Sequence, residues 1–214
     1  GLRVVSEKPV ELPSPEALMA EHQVPGISVA VIRDGEVAEV KAYGVTRHGG
    51  SERVTPDTLF PAGSVSKHVT ALGVMRLAKD GVIDLDEDVN RYLTSWQVPG
   101  TDPAHPVTAE RLLRFTGAVN NVSEDPDDHY YTVGEELPTG LDVLHGRAPA
   151  KTPAGALDGV PGQVFLKNNI SYTVLQLLME DVTGKPFPEL MRELVLDPLG
   201  MTASHFVSAD PTVL

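Results

Sequence analysis

The chain has 214 residues, of which 41% are hydrophobic and 22% are charged. That length is enough for one domain with a buried core, or for one domain and part of a second, and the apolar content is too high for a disordered chain. Thirty acidic and 17 basic residues give a formal net charge of −13, which disfavours nucleic-acid binding because phosphate contacts require a basic surface. With no cysteine in the sequence, disulfides and thiolate catalysis are excluded.

No uncharged apolar run reaches the roughly 18 residues that a transmembrane helix needs, so we expect a soluble protein without a membrane span. The compartment is left open. The start at Gly1 fits a protein exported with its signal peptide already removed, and it fits a trimmed N-terminus equally well.

The first 55 residues predict a helix followed by a β-hairpin. Residues 14–16, Ser-Pro-Glu, are typical of a helix start, because serine is a preferred N-cap and proline a preferred first helical residue. Residues 27–33 and 36–43 have strand-like patterns, and the Asp-Gly pair between them is favoured in two-residue hairpin turns. Two strands alone are not a stable sheet, so they need more strands or a covering helix.

From residue 56 onward the apolar spacing predicts helices. Apolar residues recur at intervals of three and four over residues 65–78, and Gly81 follows where a helix C-terminus favours glycine. The other predicted helices cover residues 108–113, 169–182 and 188–196. We therefore divide the chain into residues 1–55, the N-terminal part of an α/β sheet domain, and residues 56–214, a mostly helical region.

Residues 115–146 contain seven acidic residues and no lysine or arginine. Such a run is most often a solvated loop. An acidic lid that favours cationic substrates is a second interpretation. A calcium loop is a third, although the ligand spacing of an EF-hand is absent.

The sharpest candidate for a reactive site is the Ser-x-x-Lys pair formed by Ser64 and Lys67. On a helix that begins after Gly63 the two side chains share a face, about 5–6 Å apart at Cβ. A lysine whose pKa is lowered by burial or by a nearby cation can take the proton of a serine hydroxyl. Free amides at the helix N-terminus can hold an oxyanion. A capping serine with a surface lysine is the commoner explanation of such a pair.

Four blocks of the sequence, one of which contains this pair, are informative when they are taken together in chain order. Residues 24–44 have the pattern of two paired strands, and residues 59–93 surround the Ser-x-x-Lys pair. Residues 106–121 contain Leu-Leu-Arg-Phe-Thr-Gly, and residues 160–204 contain Pro-Gly-Gln-Val-Phe-Leu-Lys-Asn-Asn before two helical patterns. Together they resemble the serine β-lactamase/penicillin-binding-protein superfamily, nearest its class C-like branch of esterases, D-aminopeptidases and DD-carboxypeptidases.

The resemblance implies an α/β fold in which an antiparallel sheet flanked by helices accompanies a mostly helical region, as in β-lactamases and transpeptidases. It implies that Ser64 is the acylated nucleophile and that Lys67 is the base that activates it. The family's Tyr-x-Asn motif falls on residues 167–169, so Asn169 is kept as a substrate-binding residue and Lys167 replaces the tyrosine. Tyr172 belongs to the following helix and is interpreted as a packed aromatic.

Lys167 leaves two alternatives open. Two neighbouring ammonium groups lower each other's pKa, so Lys167 could share the catalytic work of Lys67 and keep one amine neutral. Alternatively, the loss of the tyrosine slows deacylation or leaves a site that only binds its ligand. We favour retained chemistry, because Ser64, Lys67 and Asn169 are all present.

The family's third motif, Lys-Thr-Gly or His-x-Gly on a β-strand, has no counterpart in the sequence, and the C-terminal strands around it are missing from this chain. Either a second, C-terminal polypeptide completes the fold or the chain is a fragment. An isolated strand pair with a bare apolar face would aggregate.

The predicted function is that of an enzyme, a serine hydrolase or acyltransferase with an acyl-Ser64 intermediate, acting on an ester, an amide or a β-lactam. The alternative is a catalytically weakened relative that binds its ligand without efficient turnover. No cofactor is expected, and no metal site is expected, because the seven histidines lack His-x-x-x-His spacing.

Overall fold

The computed structural model describes residues 13–132 and 134–206. The chain divides into two compact units, Gly1–Phe60 and Pro61–Leu214. The division into part of an α/β sheet domain at residues 1–55 and a mostly helical region at residues 56–214 stays a prediction.

The first unit consists of a short helix and a β-hairpin. Helix α1 covers Pro15–Glu21, strand β1 covers Gly26–Arg33 and strand β2 covers Glu36–Gly44. Ser14 caps α1 by accepting a hydrogen bond from the Ala17 amide at 3.2 Å. The predicted cap and the predicted antiparallel pairing are therefore both present.

The hairpin turn depends on left-handed backbone at both of its central residues. Asp34 has φ of 53° and Gly35 has φ of 83°, which is the requirement of a type I′ turn and the reason why Asp-Gly is favoured there. The strands leave several large apolar side chains exposed, including Ile32 and Val37 at 67% and 64%. The hairpin itself therefore buries little apolar surface.

The second unit is mostly helical. Its helices are α2 (Ser66–Lys79), α3 (Ala109–Leu113), α4 (Gly140–His145), α5 (Ile170–Thr183) and α6 (Phe187–Met191), which continues as a π-helical turn over Arg192–Leu196. Two short strands, β3 (Val119–Asn120) and β4 (Ala156–Leu157), pair antiparallel. Short 3₁₀ turns cover Gly63–Val65, Val89–Arg91 and Pro126–His129.

Helix α5 lies at the centre of the core of this unit. Val174, Leu175 and Leu178 on α5 are fully buried, and α5 packs against α2, α3, α4 and α6. Close packing of α2 depends on Gly73: a Cβ there would lie 2.9 Å from Met179 Cε and 3.0 Å from Met191 Sδ. The absent side chain lets α2 approach α5 and α6 closely.

The helix predictions differ from the structure mainly at the ends. The helix that we expect to begin at Ser64 begins at Ser66, because a 3₁₀ turn containing Ser64 precedes it. The helix expected from residue 188 begins at Phe187, and its second half is π-helical. Within the parts of the chain that the structure covers, no helix has the length and apolar character to cross a bilayer.

The acidic stretch at residues 115–146 is not one continuous loop. It contains β3, the 3₁₀ turn Pro126–His129 and α4. Two of its acidic side chains have local partners: Asp142 forms a capping box with Thr139 at the start of α4, and Glu135 pairs with Lys151 at 3.1 Å.

Candidate active site

Three of the four residues that the sequence singles out at the two motifs, Ser64, Lys67 and Asn169, are joined by hydrogen bonds in the second unit. Lys67 Nζ lies 3.2 Å from Ser64 Oγ and 2.8 Å from Asn169 Oδ1. Ser64 lies in the 3₁₀ turn that leads into α2, Lys67 lies in the first turn of α2, and Asn169 immediately precedes α5. Packing of α2 on α5 therefore brings together residues that are 102 positions apart in sequence.

The backbone before Ser64 presents the hydroxyl at the start of the helix. Gly63 has φ of 51°, in the left-handed region that favours glycine. This bend places Ser64 at the N-terminal end of the helical segment, where the first backbone amides have no acceptor within the helix and are available to a ligand. Ser64 is exposed and Lys67 is half-buried.

Two features of the surroundings lower the pKa of Lys67. Burial lowers the pKa of Lys67 below the ordinary value of lysine, and the positive charge of Lys167 lowers that pKa further. Lys167 is exposed and lines the same cleft as Ser64 and Lys67. The structure thus brings all four sequence-predicted site residues to one cleft.

Tyr172 contacts Lys67, which the sequence does not reveal. Lys67 Nζ lies 5.7 Å from the centroid of the Tyr172 ring, within the range of a cation–π contact. The same ring packs on Phe115 with centroids 5.6 Å apart, and burial raises the pKa of the Tyr172 phenol. Tyr172 is therefore a packed aromatic, as interpreted from the sequence, whose ring also borders Lys67.

The cleft has a volume of about 590 Å³. Its walls come mainly from two segments, one after β3 and one before α5. The lining residues are Ser64, Lys67, Asn120, Asn121, Val122, Ser123, His129, Phe165, Leu166, Lys167, Asn168 and Asn169.

Sequence reasoning missed the wall formed by residues 120–123 and His129. Asn120 Nδ2 donates to Asp158 Oδ2 at 2.9 Å, and Asn121 Nδ2 donates to Thr152 Oγ1 at 3.0 Å. Both Asn121 and Thr152 are buried, so this wall is held by satisfied polar contacts. The available signal was the Asn-Asn pair that closes the Leu-Leu-Arg-Phe-Thr-Gly block.

The charge of the cleft is opposite to that of the chain. Two lysines line it, and none of the described lining residues is acidic, although the whole chain has a net charge of −13. No group of three or more His, Asp or Glu side chains within residues 13–132 and 134–206 is arranged to hold a metal ion.

Comparison with known proteins places this arrangement in a family. The family model described as Beta-lactamase matches residues 16–213. Penicillin-binding protein 4 of Amycolatopsis lactamdurans is 33% identical over 189 residues, which cover 88% of this chain and 46% of that protein. Esterase EstB of Burkholderia gladioli is 30% identical over 201 residues, which cover 90% of this chain and 50% of that protein.

A solved structure shows the same fold. The octameric penicillin-binding protein homologue from Pyrococcus abyssi superimposes with a TM-score of 0.71 at 29% identity, covering 87% of this chain and 42% of that one. The mixed α/β architecture predicted from the sequence is thereby confirmed. The chain spans about half the length of the curated relatives that it matches. Because the family model covers nearly all of its residues, the chain belongs to the Beta-lactamase family.

Proposed function

We propose that the chain carries the nucleophile and the base of a serine hydrolase or acyltransferase, which acts on an ester, an amide or a β-lactam through an acyl-Ser64 intermediate. One observation carries the proposal: Lys67 Nζ lies 3.2 Å from Ser64 Oγ, and the pKa of this lysine is lowered by burial and by Lys167. A neutral amine within hydrogen-bond reach of a hydroxyl is the arrangement that nucleophilic catalysis by serine needs.

In the proposed reaction the neutral Lys67 amine accepts the Ser64 proton while Oγ attacks the carbonyl carbon. The oxyanion that forms is stabilised by backbone amides at the start of the helical segment. The C–O or C–N bond to the leaving group then breaks, and the proton held by Lys67 passes to that group. Water then attacks the carbonyl carbon of acyl-Ser64 and gives a proton to Lys67, the bond from that carbon to Ser64 Oγ breaks, and Lys67 returns the proton to Oγ. An alcohol or amine in place of water gives acyl transfer.

Asn169 has two roles in this proposal. Its Oδ1 accepts a hydrogen bond from Lys67 at 2.8 Å, which orients the amine toward Ser64. Its Nδ2 is a donor that can bind a carbonyl oxygen of the substrate, since an asparagine amide offers both functions.

Lys167 is proposed to keep the neutral form of Lys67 available at lower pH. We expect the rate of acylation to rise with pH as Lys67 loses its proton, below the pH at which an ordinary lysine titrates, because the Lys167 charge disfavours the protonated form. Lys167→Met removes this charge, so the rise should move to higher pH. Lys167→Tyr restores the family residue and should retain or raise activity. The measurement is the pH–rate profile of acylation for the three proteins.

Lys79→Met is a matched control, since Lys79 is also exposed but lies at the far end of α2 and does not line the cleft. It should leave the profile unchanged. A Lys167→Met profile that coincides with that of the unmodified protein would show that Lys167 is a bystander.

A protein that binds its ligand without efficient turnover is the second candidate, and the replacement of the family tyrosine by Lys167 favours it. A covalent serine probe and a chromogenic ester separate the two functions. Labelling of Ser64 together with sustained ester turnover supports the enzyme. Stoichiometric labelling with a single burst supports slow deacylation, and no labelling supports a binder.

We also propose that further β-strands from a C-terminal polypeptide, covalently continuous or separate, pack beside β1 and β2. The hairpin leaves Ile32 and Val37 largely exposed, and the chain spans about half the length of its relatives. Residues 1–214 produced alone should therefore bind a hydrophobic dye or self-associate. Native mass spectrometry measures the self-association, and the fluorescence of the dye measures its binding. A well-folded monomer of 22.9 kDa that binds no dye would refute the proposal.

A further inference from the structure

Two consecutive asparagines before α5 have different contacts. Asn169 directly precedes the helix, at the position where an asparagine side chain usually caps the first amides. However, Asn169 already has helical dihedral angles, φ of −90° and ψ of −34°, and its side chain makes no capping hydrogen bond. Its Oδ1 accepts from Lys67 instead.

Asn168 makes the capping contact that Asn169 does not make. Its Oδ1 accepts from the backbone amide of Ser171 at 3.0 Å and from Ser171 Oγ at 2.8 Å. Ser171 is 1% exposed, so water cannot replace this acceptor easily. Without Asn168 a buried donor at the start of α5 would lose its partner, which is costly.

Asn168 also links the two walls of the cleft. Its Nδ2 donates to the carbonyl oxygen of Val119 in β3 at 2.7 Å. The residue after Val119 begins the wall at residues 120–123, and Asn168 itself belongs to the opposite segment, residues 165–169. The Asn168 carboxamide therefore accepts the hydrogen bonds of Ser171 at the start of α5 and also ties β3 to that helix start.

We infer that Asn168 is a positioning residue for the reactive lysine: it caps α5 in place of Asn169, which leaves the Asn169 carboxamide to hold Lys67 beside Ser64. The inference deepens the proposed function and rests on it only where acylation is the readout. Once Asn168 is removed, the side chain of Asn169 is the nearest one in sequence that could accept from the Ser171 amide, and Asn169 would have to leave its helical dihedral angles to do so. Its movement to the cap would cost Lys67 a hydrogen bond.

Three variants separate the contacts. Asn168→Ala removes the cap and the link to Val119, Asn168→Ser keeps a good capping oxygen but loses the donor to Val119, and Asn169→Ala removes the contact with Lys67 directly. We expect Asn168→Ala to lower the rate of acylation roughly 10- to 100-fold, as misplacement of a reacting group does. Asn168→Ser should stay close to the unmodified protein.

The double variant gives the sharpest kinetic test. If the two asparagines act through the same Lys67 contact, the combined Asn168→Ala and Asn169→Ala protein should be little worse than Asn169→Ala alone. Fully multiplicative losses in the double variant would overturn the inference.

Asn90→Ala is the matched control for loss of stability. Asn90 also uses both ends of its carboxamide: Nδ2 donates to Val98 O at 2.9 Å, and Oδ1 accepts from the Val98 amide at 2.8 Å. It does not line the cleft. Asn90→Ala should therefore lower the free energy of unfolding as Asn168→Ala does, without changing the pH dependence of acylation.

The decisive readout does not require turnover. NMR titration of the Lys67 side chain in protein with ¹³C-labelled lysine reports its protonation, with Lys167, Tyr172 and His129 as the other titratable groups at this lysine or its cleft. Loss of an acceptor for the ammonium group moves the titration to lower pH. Asn168→Ala and Asn169→Ala should show the same displacement, and Asn168→Ser and Asn90→Ala should show none.

The inference is overturned if Asn168→Ala titrates like the unmodified protein while Asn169→Ala does not. If Asn168→Ala does not fold, a displaced Lys67 titration in Asn168→Ser overturns it instead. If the unmodified protein forms no acyl-enzyme but the titrations follow the expected pattern, the proposed function fails and the role of Asn168 stands.

Discussion

Ser64→Ala is expected to abolish acylation and to leave the fold intact. The variant lacks the hydroxyl oxygen that is the proposed nucleophile, and its neighbours Lys67 and Asn169 have no hydroxyl that could form an acyl ester in its place. Loss of a catalytic serine costs on the order of 10⁶ in kcat in a well-studied hydrolase. Because Ser64 is exposed and not part of the core, the free energy of unfolding should change little. Intact-mass detection of the acyl-enzyme and ester turnover measure the effect.

The chain offers a control two residues away. Ser66 is the first residue of α2 and does not line the cleft. Ser66→Ala should therefore keep labelling and turnover within a few-fold of the unmodified protein. Near-normal turnover in Ser64→Ala, on any ester that the unmodified protein cleaves, would remove Ser64 from the mechanism.

Lys67→Met should lower the rate of acylation by about 10²- to 10⁴-fold, the usual contribution of a positioned general base. Methionine has an unbranched side chain of comparable reach but no amine, so Ser64 would keep its proton. The contacts with Ser64 Oγ and Asn169 Oδ1 would be lost together. The measurement is the second-order rate constant of labelling by the serine probe, taken from neutral to alkaline pH.

Lys67→Arg separates proton transfer from charge. A guanidinium keeps a positive charge but does not give up its proton in proteins, so this variant should be as slow as Lys67→Met. His68→Ala tests the neighbouring position, which is exposed and does not line the cleft, and it should leave the rate unchanged. Recovery of activity in Lys67→Arg would mean that Lys67 acts through its charge and not as a base.

Local patterns made much of this architecture predictable. The Asp-Gly turn predicts the hairpin because its two residues tolerate left-handed backbone, and the periodic apolar faces of α2 and α5 predict both helices within about two residues, the scatter expected at helix ends. The meeting of Ser64 with Lys67 follows from helix geometry alone. The contact of Lys67 with Asn169 could be expected only through the family resemblance, because no local rule relates residues 102 positions apart.

Long-range contacts could not be read from the sequence. The hydrogen bond from Asn168 to Val119 depends on how β3 approaches α5, and the placement of the Tyr172 ring against Lys67 depends on the packing of α2. A pattern of residue types specifies which face of a helix is buried, but it does not specify which partner that face meets. For the same reason Tyr172 could be identified as a packed aromatic without its neighbour being known.

Flexible side chains fill the space where α2, which carries Lys67, packs against α5, which Asn169 precedes. At Gly73 the atoms that an added methyl group would meet are the flexible ends of Met179 and Met191, and methionine adapts to irregular space better than branched side chains do. Small volume changes at this position can thus be absorbed by the methionine ends, with little movement of the helix backbones. The 2.8 Å contact between Lys67 and Asn169 is therefore buffered against modest substitutions near Gly73.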